Sequence, residues 1–561
     1  MKNMKITILS GGSGNDAILK GIKQIYPESD VKVILNAYDN GKSTGICRAI
    51  TNTLGVSDIR KNHIRLYKIQ NKEPNQNILD FFDKRIDFDK GQECKQILKL
   101  LKTWGLDNKI IVNACKNFFK HSKCKDFEFK DFSVANIIYS SMYETIGYEK
   151  TNAYFCNLLG IDDFVILNSF DNVYLKAITE NKNKIDDEGE LVEWKQKEDK
   201  IIDTYLEGEN KGLNPKAIDR IMQSDLIIHS TGTFWSSIYP TMQYLDFYKY
   251  INLSKAKKIW VMNTEEDKDS YGVKATDFVS KYAKLGLFMN QWDIIQNNQA
   301  VKGLRNIENA YNFDLGNNKG KNNSIEVAKA IFSVYFGITN KKYDKILLDF
   351  DNTLYGKQGE YKDISKKNIE NVANKSNVMI ISGNSIKSIK EKVNINELEN
   401  KIWADANSTC YYKGKKIDKI KENDIKDFSK VKKIIKDLEF EAINNITYEK
   451  NNIKIKFKQN NNTYNAYRYQ LAHYLNKIFE FEKLDVKALC TGRTTVDIVQ
   501  SSNDKARIYF HDNLMKYKTL FIGDELDCGN DYRISKCCDN AINVNNPIET
   551  NIILNLMGLT K

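Results

Sequence analysis

The stretch Lys345-Ile-Leu-Leu-Asp349-Phe-Asp351-Asn-Thr353-Leu354 decides how the second half of this 561-residue chain folds. Ile346–Leu348 is a short apolar run of the kind that forms a buried parallel strand, and it ends in acids. Side chains alternate along a strand, so Asp349 and Asp351 are expected to point the same way. At the carboxyl edge of a parallel sheet that places two carboxylates in the ligand crevice. Acids so close repel unless a cation or a proton intervenes. One can serve as nucleophile while the other exchanges a proton with the leaving group, and aspartyl-phosphate chemistry asks for both roles.

Further along the chain the other parts of a phosphoryl site follow in order. Val378–Ile381 reads as a strand that ends in Ser382-Gly383-Asn384-Ser385, a hydroxyl and free amides for phosphate oxygens. Lys505 can neutralise charge on the transferring group. Leu520–Ile522 is a strand leading into Gly523-Asp524-Glu-Leu-Asp-Cys-Gly-Asn530-Asp531, whose acids suit Mg²⁺ and its preference for oxygen ligands. A dianionic ester will not approach an unscreened carboxylate, so the metal has to cancel that repulsion.

With those four motifs in place, residues 343–561 resemble the haloacid dehalogenase (HAD) phosphatase superfamily. The resemblance implies Asp349 as nucleophile, Asp351 as acid and base, and Ser382 and Lys505 as phosphate contacts. It also implies Mg²⁺ held at Asp349, Asp351, Asp524 and Asp531. The closing Gly-Asp…Gly-Asn-Asp-Tyr-Arg-Ile is similar to phosphomannomutases and their relatives with a C2-type cap. Thr495-Val-Asp497-Ile-Val-Gln-Ser-Ser-Asn-Asp-Lys505 has the spacing of the phosphomutase segment. By that match Thr495 and Asp497 become candidate substrate contacts; Gly383, Asn384 and Asn530 of the other motifs are expected to bind substrate as well, and residues 411–493 to form an α+β cap. The arginines with which phosphomannomutase caps grip a second phosphate have no counterpart in Ile446–Lys458, which carries lysines. That favours a phosphatase over a sugar phosphomutase.

Upstream of Tyr343 lies a polar, glycine-bearing seam at residues 312–324, then a helix expected at Ile325–Phe336 and a linker. The first half opens with a strand, Ile6–Leu9, a turn, Ser10-Gly-Gly12-Ser13-Gly14, and a helix with apolar residues at 17, 18, 19, 22 and 25. A second strand, Val31–Leu35, ends in Asn36-Ala-Tyr-Asp39-Asn-Gly-Lys-Ser43-Thr-Gly45. Strand, helix and strand in so short a span make a βαβ unit. Later strands are expected at Phe164–Leu167, Leu226–His229 and Lys258–Met262, with helices in the intervals. The fold class is therefore α/β: a doubly wound, Rossmann-like domain over 1–338 and an α/β phosphatase domain over 343–561. Gly41-Lys-Ser-Thr44 imitates the end of a P-loop, but that motif wants glycine where this chain has Asn36.

Bare amides at a helix start attract phosphate, which makes Gly12, Ser13 and Gly14 an anion cradle. Several further segments follow in order. They are Asp39…Gly45 with Arg48, Gly55-Val-Ser-Asp58-Ile-Arg60 with Asn62, Asn136, Ser230-Thr-Gly232-Thr233-Phe-Trp-Ser-Ser237, and Asn263. Together these resemble the family of 2-phospho-L-lactate transferase (CofD) and the gluconeogenesis-factor proteins. The resemblance implies a nucleotide diphosphate conjugate as ligand, with Asp39, Ser43, Asp58, Arg60, Asn62 and Asn136 lining the site. Gly232, Thr233 and Ser237 would meet the nucleotide side. Two readings of this half stay open: transfer of a phospho-group from the conjugate, or sensing of a UDP-sugar without chemistry.

Composition narrows the partners. Net charge is +12, yet only ten of the 85 basic residues are arginine and the lysines are spread along the chain, so no nucleic-acid partner is expected. No apolar run is long enough for a membrane span. Ten scattered cysteines without a C-x-x-C pair suggest reduced thiols and a cytoplasmic location. A phosphorylated small-molecule substrate is expected for the second half. For the first half we expect a homodimer contact.

Overall fold

The first expected strand runs Lys5–Leu9 (β1), and helix Asp16–Ile25 (α1) carries the chain back to Asp30–Leu35 (β2). These belong to a unit spanning Asn3–Tyr335, and Phe336–Lys561 forms a second unit. The computed structural model describes the chain except residues 1–2, 13, 187, 195–197, 209, 264–267, 271–272, 298–308, 319–320, 340, 357–365, 385, 394–401, 407–408, 413–414, 418–423, 439–440, 459–461, 492–493, 528 and 561.

In the first unit β1 and β2 join Val165–Leu167 (β3), Leu226–His229 (β7), Lys257–Val261 (β8), Trp292–Asn297 (β9) and Ala310–Phe313 (β10). The order is β10-β9-β8-β7-β1-β2-β3, and every pairing is parallel. A parallel sheet covered on both faces demands continuous apolar strands, and Leu226–His229 is buried at all four positions. Because β1 lies between β2 and β7, strand order reverses there and a crevice opens beyond their carboxyl ends. Leu9 pairs with Ile34 on one side and His229 on the other, so the loops after all three strands begin at one level.

Three helices line that crevice: Lys42–Thr51 (α2), Ser57–Gln70 (α3) and Val134–Ile146 (α4). A correction concerns the interval between β3 and β7, which was expected to be helical. It holds a three-stranded antiparallel sheet of Tyr174–Thr179 (β4), Lys184–Ile185 (β5) and Ile201–Glu207 (β6), with a short helix Glu188–Val192 (α5). The burial of β4 alternates strictly, the mark of a sheet with one covered face. Helix Ser324–Tyr335 (α6) packs on α1, and Gly21 lets them approach: a Cβ there would lie 1.9 Å from the Ser324 carbonyl oxygen.

The second unit has its own sheet. Lys345–Leu348 (β11), Asn377–Ser382 (β12), Ile402–Ala406 (β13), Thr519–Gly523 (β20) and Asn540–Asn543 (β21) are parallel in the order β13-β12-β11-β20-β21. Thr409–Tyr412 (β14) and Lys415–Ile417 (β15) extend it antiparallel beyond β13. A separate antiparallel sheet, β16-β17-β19-β18, is built from Ile443–Tyr448 (β16), Asn452–Phe457 (β17), Val486–Thr491 (β18) and Thr495–Gln500 (β19). Helices Phe428–Lys436 (α7) and Asn462–Phe481 (α8) accompany it, and Val431, Ile435, Leu475 and Phe479 fill its core. The second unit is thus a parallel α/β core with an α+β cap inserted after its third core strand. The cap limits differ from residues 411–493 at both ends. Tyr411 and Tyr412 pair onto the core sheet at Ala404 and Trp403, Lys415–Ile417 pairs alongside them, and Thr495–Gln500 is an inner strand of the cap sheet.

Candidate functional site

β11 lies between β12 and β20, so the loops after all three strands meet at one edge. Asp349 follows β11 directly, and its amide bonds the Ile522 carbonyl at 2.9 Å. Lys505 Nζ donates to Asp349 Oδ1, and to Asp531 Oδ1 at 2.6 Å. All three residues are buried, Asp531 completely. Asp524 accepts from Asn352 Nδ2 at 2.8 Å, and Asn352 takes a left-handed conformation (φ 59°) that asparagine tolerates better than most residues. One carboxylate oxygen from each of Asp349, Asp524 and Asp531 lies within 4.8 Å of the others. Gly523 makes room for this group, since a Cβ there would stand 2.4 Å from Asp531 Oδ2.

The second acid is placed differently from the expectation. The strand stops at Leu348, so alternation does not carry through Asp349-Phe350-Asp351. The Asp351 side chain is about half exposed (52%), accepts from Asn384 Nδ2 and lies 3.3 Å from Lys392 Nζ. Its carboxylate stands outside the group of three. Ser382 is buried at the end of β12, and its Oγ accepts from the Asn384 amide at 3.0 Å. Gly383 is exposed on the same turn, and Asn530 is partly buried just before Asp531. Thr495 and Asp497 lie on the cap strand β19, where Asp497 accepts from Thr491 Oγ1 at 2.8 Å. Neither hydrogen-bonds the acid group among the described residues.

Burial and the neighbouring Asp531 push the Asp349 carboxyl well above its ordinary range, against the pull of Lys505. The same two causes raise Asp524 to about 7. Burial works against the Lys505 ammonium, but Asp349 and Asp531 outweigh it and hold the proton on. Three carboxylates against one ammonium leave an excess of negative charge in a dry place. Asp531 Oδ2 is buried with no hydrogen-bond partner among the described residues, a costly state for a carboxylate oxygen. Hard oxygen donors with uncompensated charge fit a divalent cation such as Mg²⁺, and Asp349, Asp524 and Asp531 would hold it.

In the other unit the loops after β1, β2 and β7 converge. A Cβ on Gly14 would sit 1.6 Å from the Thr231 carbonyl oxygen, one on Gly12 2.1 Å from Asp58 Oδ1, and one on Gly11 2.5 Å from Ser237 Oγ. The turn is therefore backbone packed against backbone and short polar groups. Asn263 clamps Gly232 from both sides, accepting from its amide at 2.8 Å and donating to its carbonyl at 2.9 Å. Gly232 has φ 141°, open to glycine and strained for other residues. Thr233 Oγ1 and Ser237 Oγ are 2.8 Å apart. Ser13 lies outside the described residues.

The family model for 2-phospho-L-lactate transferase CofD matches residues 6–329. This chain belongs to that family. A putative gluconeogenesis factor of Aquifex aeolicus (strain VF5) is 25% identical over 265 residues, covering 47% of this chain and 68% of its own length. Among solved structures, a UPF0052-family protein of Bacillus halodurans aligns with a TM-score of 0.46 and 16% identity, over 59% of this chain and 99% of its own. The IMP-bound IMP-nucleotidase of Plasmodium falciparum aligns with a TM-score of 0.33 and 16% identity, over 42% of this chain and 74% of its own.

Within the CofD unit, helix α3 explains which of the expected residues face the glycine turn. Asp58, Lys61, Asn62 and Arg65 stand at i, i+3, i+4 and i+7, one helix face. Asn62 Nδ2 donates to the Gly11 carbonyl at 3.2 Å and Arg65 Nη2 to the Gly12 carbonyl at 2.6 Å. Lys61 Nζ is 3.3 Å from Asp58. Arg60 points the other way. It is buried, donates to Asn136 Oδ1 at 2.8 Å and to the Phe82 carbonyl, and acts as an internal tie rather than a lining residue. Asn136 passes the connection on to Ser43 Oγ at 3.0 Å. The P-loop look-alike leads into helix α2, but Asn36 spends its amide on the Ser237 carbonyl at 2.6 Å.

Sequence reasoning missed Glu188, at the start of α5. Its Oε2 stands 2.7 Å from where a Gly41 Cβ would lie, and its amide donates to Asn40 Oδ1 at 2.9 Å. Burial and Asp39 push the Glu188 carboxyl well above its usual range, and burial and Asp58 raise Asp39. Asp39 also accepts from the Gly41 amide at 2.9 Å. Lys61 and Arg65 were missed as well. The polar spacing along α3 was the available signal for both.

Proposed function

We propose that the second unit is a Mg²⁺-dependent phosphatase of small phosphorylated metabolites and that Asp349 is its nucleophile. The observation that carries this reading is Lys505 bridging Asp349 and Asp531 beside a buried, unpartnered carboxylate oxygen. Lys505 draws Asp349 toward its ionised form, orients it and holds it in place, and can turn the same ammonium toward an incoming phosphate oxygen. Asp349 Oδ2 forms the bond to phosphorus as the ester P–O bond breaks. The departing alkoxide takes its proton from Asp351, which stands on the solvent side of the loop. Water then cleaves the acyl phosphate and returns a proton to Asp351, releasing inorganic phosphate and restoring both acids. Mg²⁺ at Asp349, Asp524 and Asp531 would screen the dianionic ester from the carboxylates.

The test is acid-quench labelling during turnover of ³²P-labelled phosphomonoesters. Label on the wild-type chain, absent from Asp349→Asn, is the expected result. A wild type that releases phosphate and never carries label would overturn the covalent route. Isomer interconversion without phosphate release would make the unit a phosphomutase.

For the CofD unit the reading is a site for a nucleotide diphosphate conjugate at the crevice beyond β1 and β7. Its support is the side-chain-free packing of Gly11, Gly12 and Gly14 at the strand-order reversal. Calorimetry with UDP- and GDP-linked sugars tests it, with binding expected for at least one. Turnover of the bound conjugate on long incubation would favour transfer over sensing.

A further inference from the structure

Two side chains of the cap helix α8 reach the loop that carries the metal-facing acids. Arg468 Nη2 donates to Glu525 Oε1 at 3.0 Å, and Tyr469 Oη donates to Glu525 Oε2 at 2.8 Å. Both oxygens of the residue next to Asp524 are thus held from the cap. A second tie is main-chain: Cys490 of β18 forms an isolated parallel bridge with Gly529. The Gly529 amide bonds the Glu525 carbonyl at 3.2 Å, and a Cβ on Gly529 would lie 2.2 Å from Glu525 Cβ. The loop that begins at Asp524 and ends at Asp531 is therefore pinned to the cap at positions 525 and 529.

The Arg468 contact is not an ordinary surface ion pair. Arg468 is 3% exposed, and its Nε and Nη1 have no hydrogen-bond partner among the described residues. Burying a guanidinium with one anionic partner is costly, and well-packed apolar residues could fill such a place with less loss. Its geometry does something an apolar pair could not, which is to fix a carboxylate adjacent to a metal ligand from a different layer of the fold.

We propose that Arg468, Tyr469 and Glu525 are positioning residues that couple the cap to the divalent-cation site, the cap holding the loop in the shape that presents Asp524 and Asp531 together. This rests on the phosphatase reading given above. Linkage makes the coupling reciprocal: what the cap contributes to cation affinity, the cation returns as stabilisation of the cap contact.

The test uses the full chain with Mn²⁺ as probe, free Mn²⁺ being read by electron paramagnetic resonance. Glu525→Gln and Arg468→Met should each weaken Mn²⁺ binding by about tenfold, as loss of a group orienting a metal ligand does. The double variant should lose no more than the weaker single variant, since both remove one contact. In steady state the half-saturating Mg²⁺ concentration should rise by a larger factor than kcat falls. Mg²⁺ should also slow amide exchange in α8 of the wild type, and this protection should vanish in Glu525→Gln. Mn²⁺ affinity within about twofold of wild type in folded Glu525→Gln would overturn the proposal, as would fully additive losses. If Arg468→Met does not fold, the near-isosteric Glu525→Gln and Tyr469→Phe decide alone. Loss of the phosphatase reading would show separately, as a wild type that binds Mn²⁺ yet releases no phosphate from any ester.

Discussion

Both units of this chain present their chemistry beyond the carboxyl end of a first parallel strand, yet they fill that place in opposite ways. After β11 the chain puts charge there: Asp349, Asp531 and Lys505 are buried together, with Asp524 beside them. After β1 it puts glycines at 11, 12 and 14, whose missing side chains leave backbone against Thr231, Asp58 and Ser237. The first arrangement concentrates charged groups in one place, which suits a reaction. The second spreads contacts over a surface, as recognition of an extended anion needs. Topology supplies the location in both cases, and side chains decide whether it reacts or holds.

The largest expected effect tests the reactive side. Asp349→Asn keeps the shape but removes the attacking charge, and hydrolysis should fall by at least about 10³-fold. Conjugate binding by the CofD unit should stay at the wild-type value in calorimetry. Retention of a tenth of the activity or more would remove Asp349 from the role of nucleophile and, with it, the contrast between the two units.

Next in size is the mirror experiment. In Gly14→Ala a methyl group would meet the Thr231 carbonyl at 1.6 Å, and backbone cannot swing aside as a side chain can. Conjugate affinity should drop by about a hundredfold, and the melting temperature of that unit should fall, since overpacking typically costs about 1–3 kcal/mol. Phosphate release should be unchanged in the same protein. Normal conjugate binding in Gly14→Ala would move the ligand away from the glycine turn.

Much of this contrast could be read from the chain, because strand tips announce themselves: a buried parallel strand is an unbroken apolar run, and its end is where composition changes. Leu226–His229 and Lys345–Leu348 were legible for that reason. What failed were inferences about direction. Asp351 was placed beside Asp349 by strand alternation, but the strand had already ended at Leu348. Arg60 was counted among the lining residues although Lys61, one helical step away, faces the glycine turn. Glu188 starts a short helix between two strands of an inserted antiparallel sheet, in an interval that was taken to be helical throughout. Arg468 was invisible because one arginine within a twenty-residue helix has no pattern to mark it.

A smaller effect separates the sites by pH. The raised Asp524 pKa, about 7, means the folded protein without metal favours the protonated acid. That contribution is complete at pH values below the ordinary carboxylate range and is lost as pH climbs through about 7. Mg²⁺ replaces the proton, so the rise in melting temperature on adding it should be larger at pH 8 than at pH 5, by about 4 °C. Asp524→Asn should erase the difference. An equal Mg²⁺ effect at both pH values in the wild type would mean that the cation binds elsewhere.

The smallest expected effect asks whether any side chain matters at the glycine turn. Lys61 is a well-exposed cation beside it: its side chain is 40% exposed, it pairs with Asp58 at 3.3 Å, and its Cδ lies 2.8 Å from a Gly12 Cβ position. An exposed charge acts through water and is screened, so its share of anion binding should be about 1 kcal/mol at most. Lys61→Ala should therefore weaken conjugate binding by about fivefold at low salt and by about twofold at 0.5 M salt, and Lys61→Arg should restore it. A loss as deep as that of Gly14→Ala, insensitive to salt, would make a buried charge rather than bare backbone the source of affinity. The two strand tips would then differ in degree and not in kind.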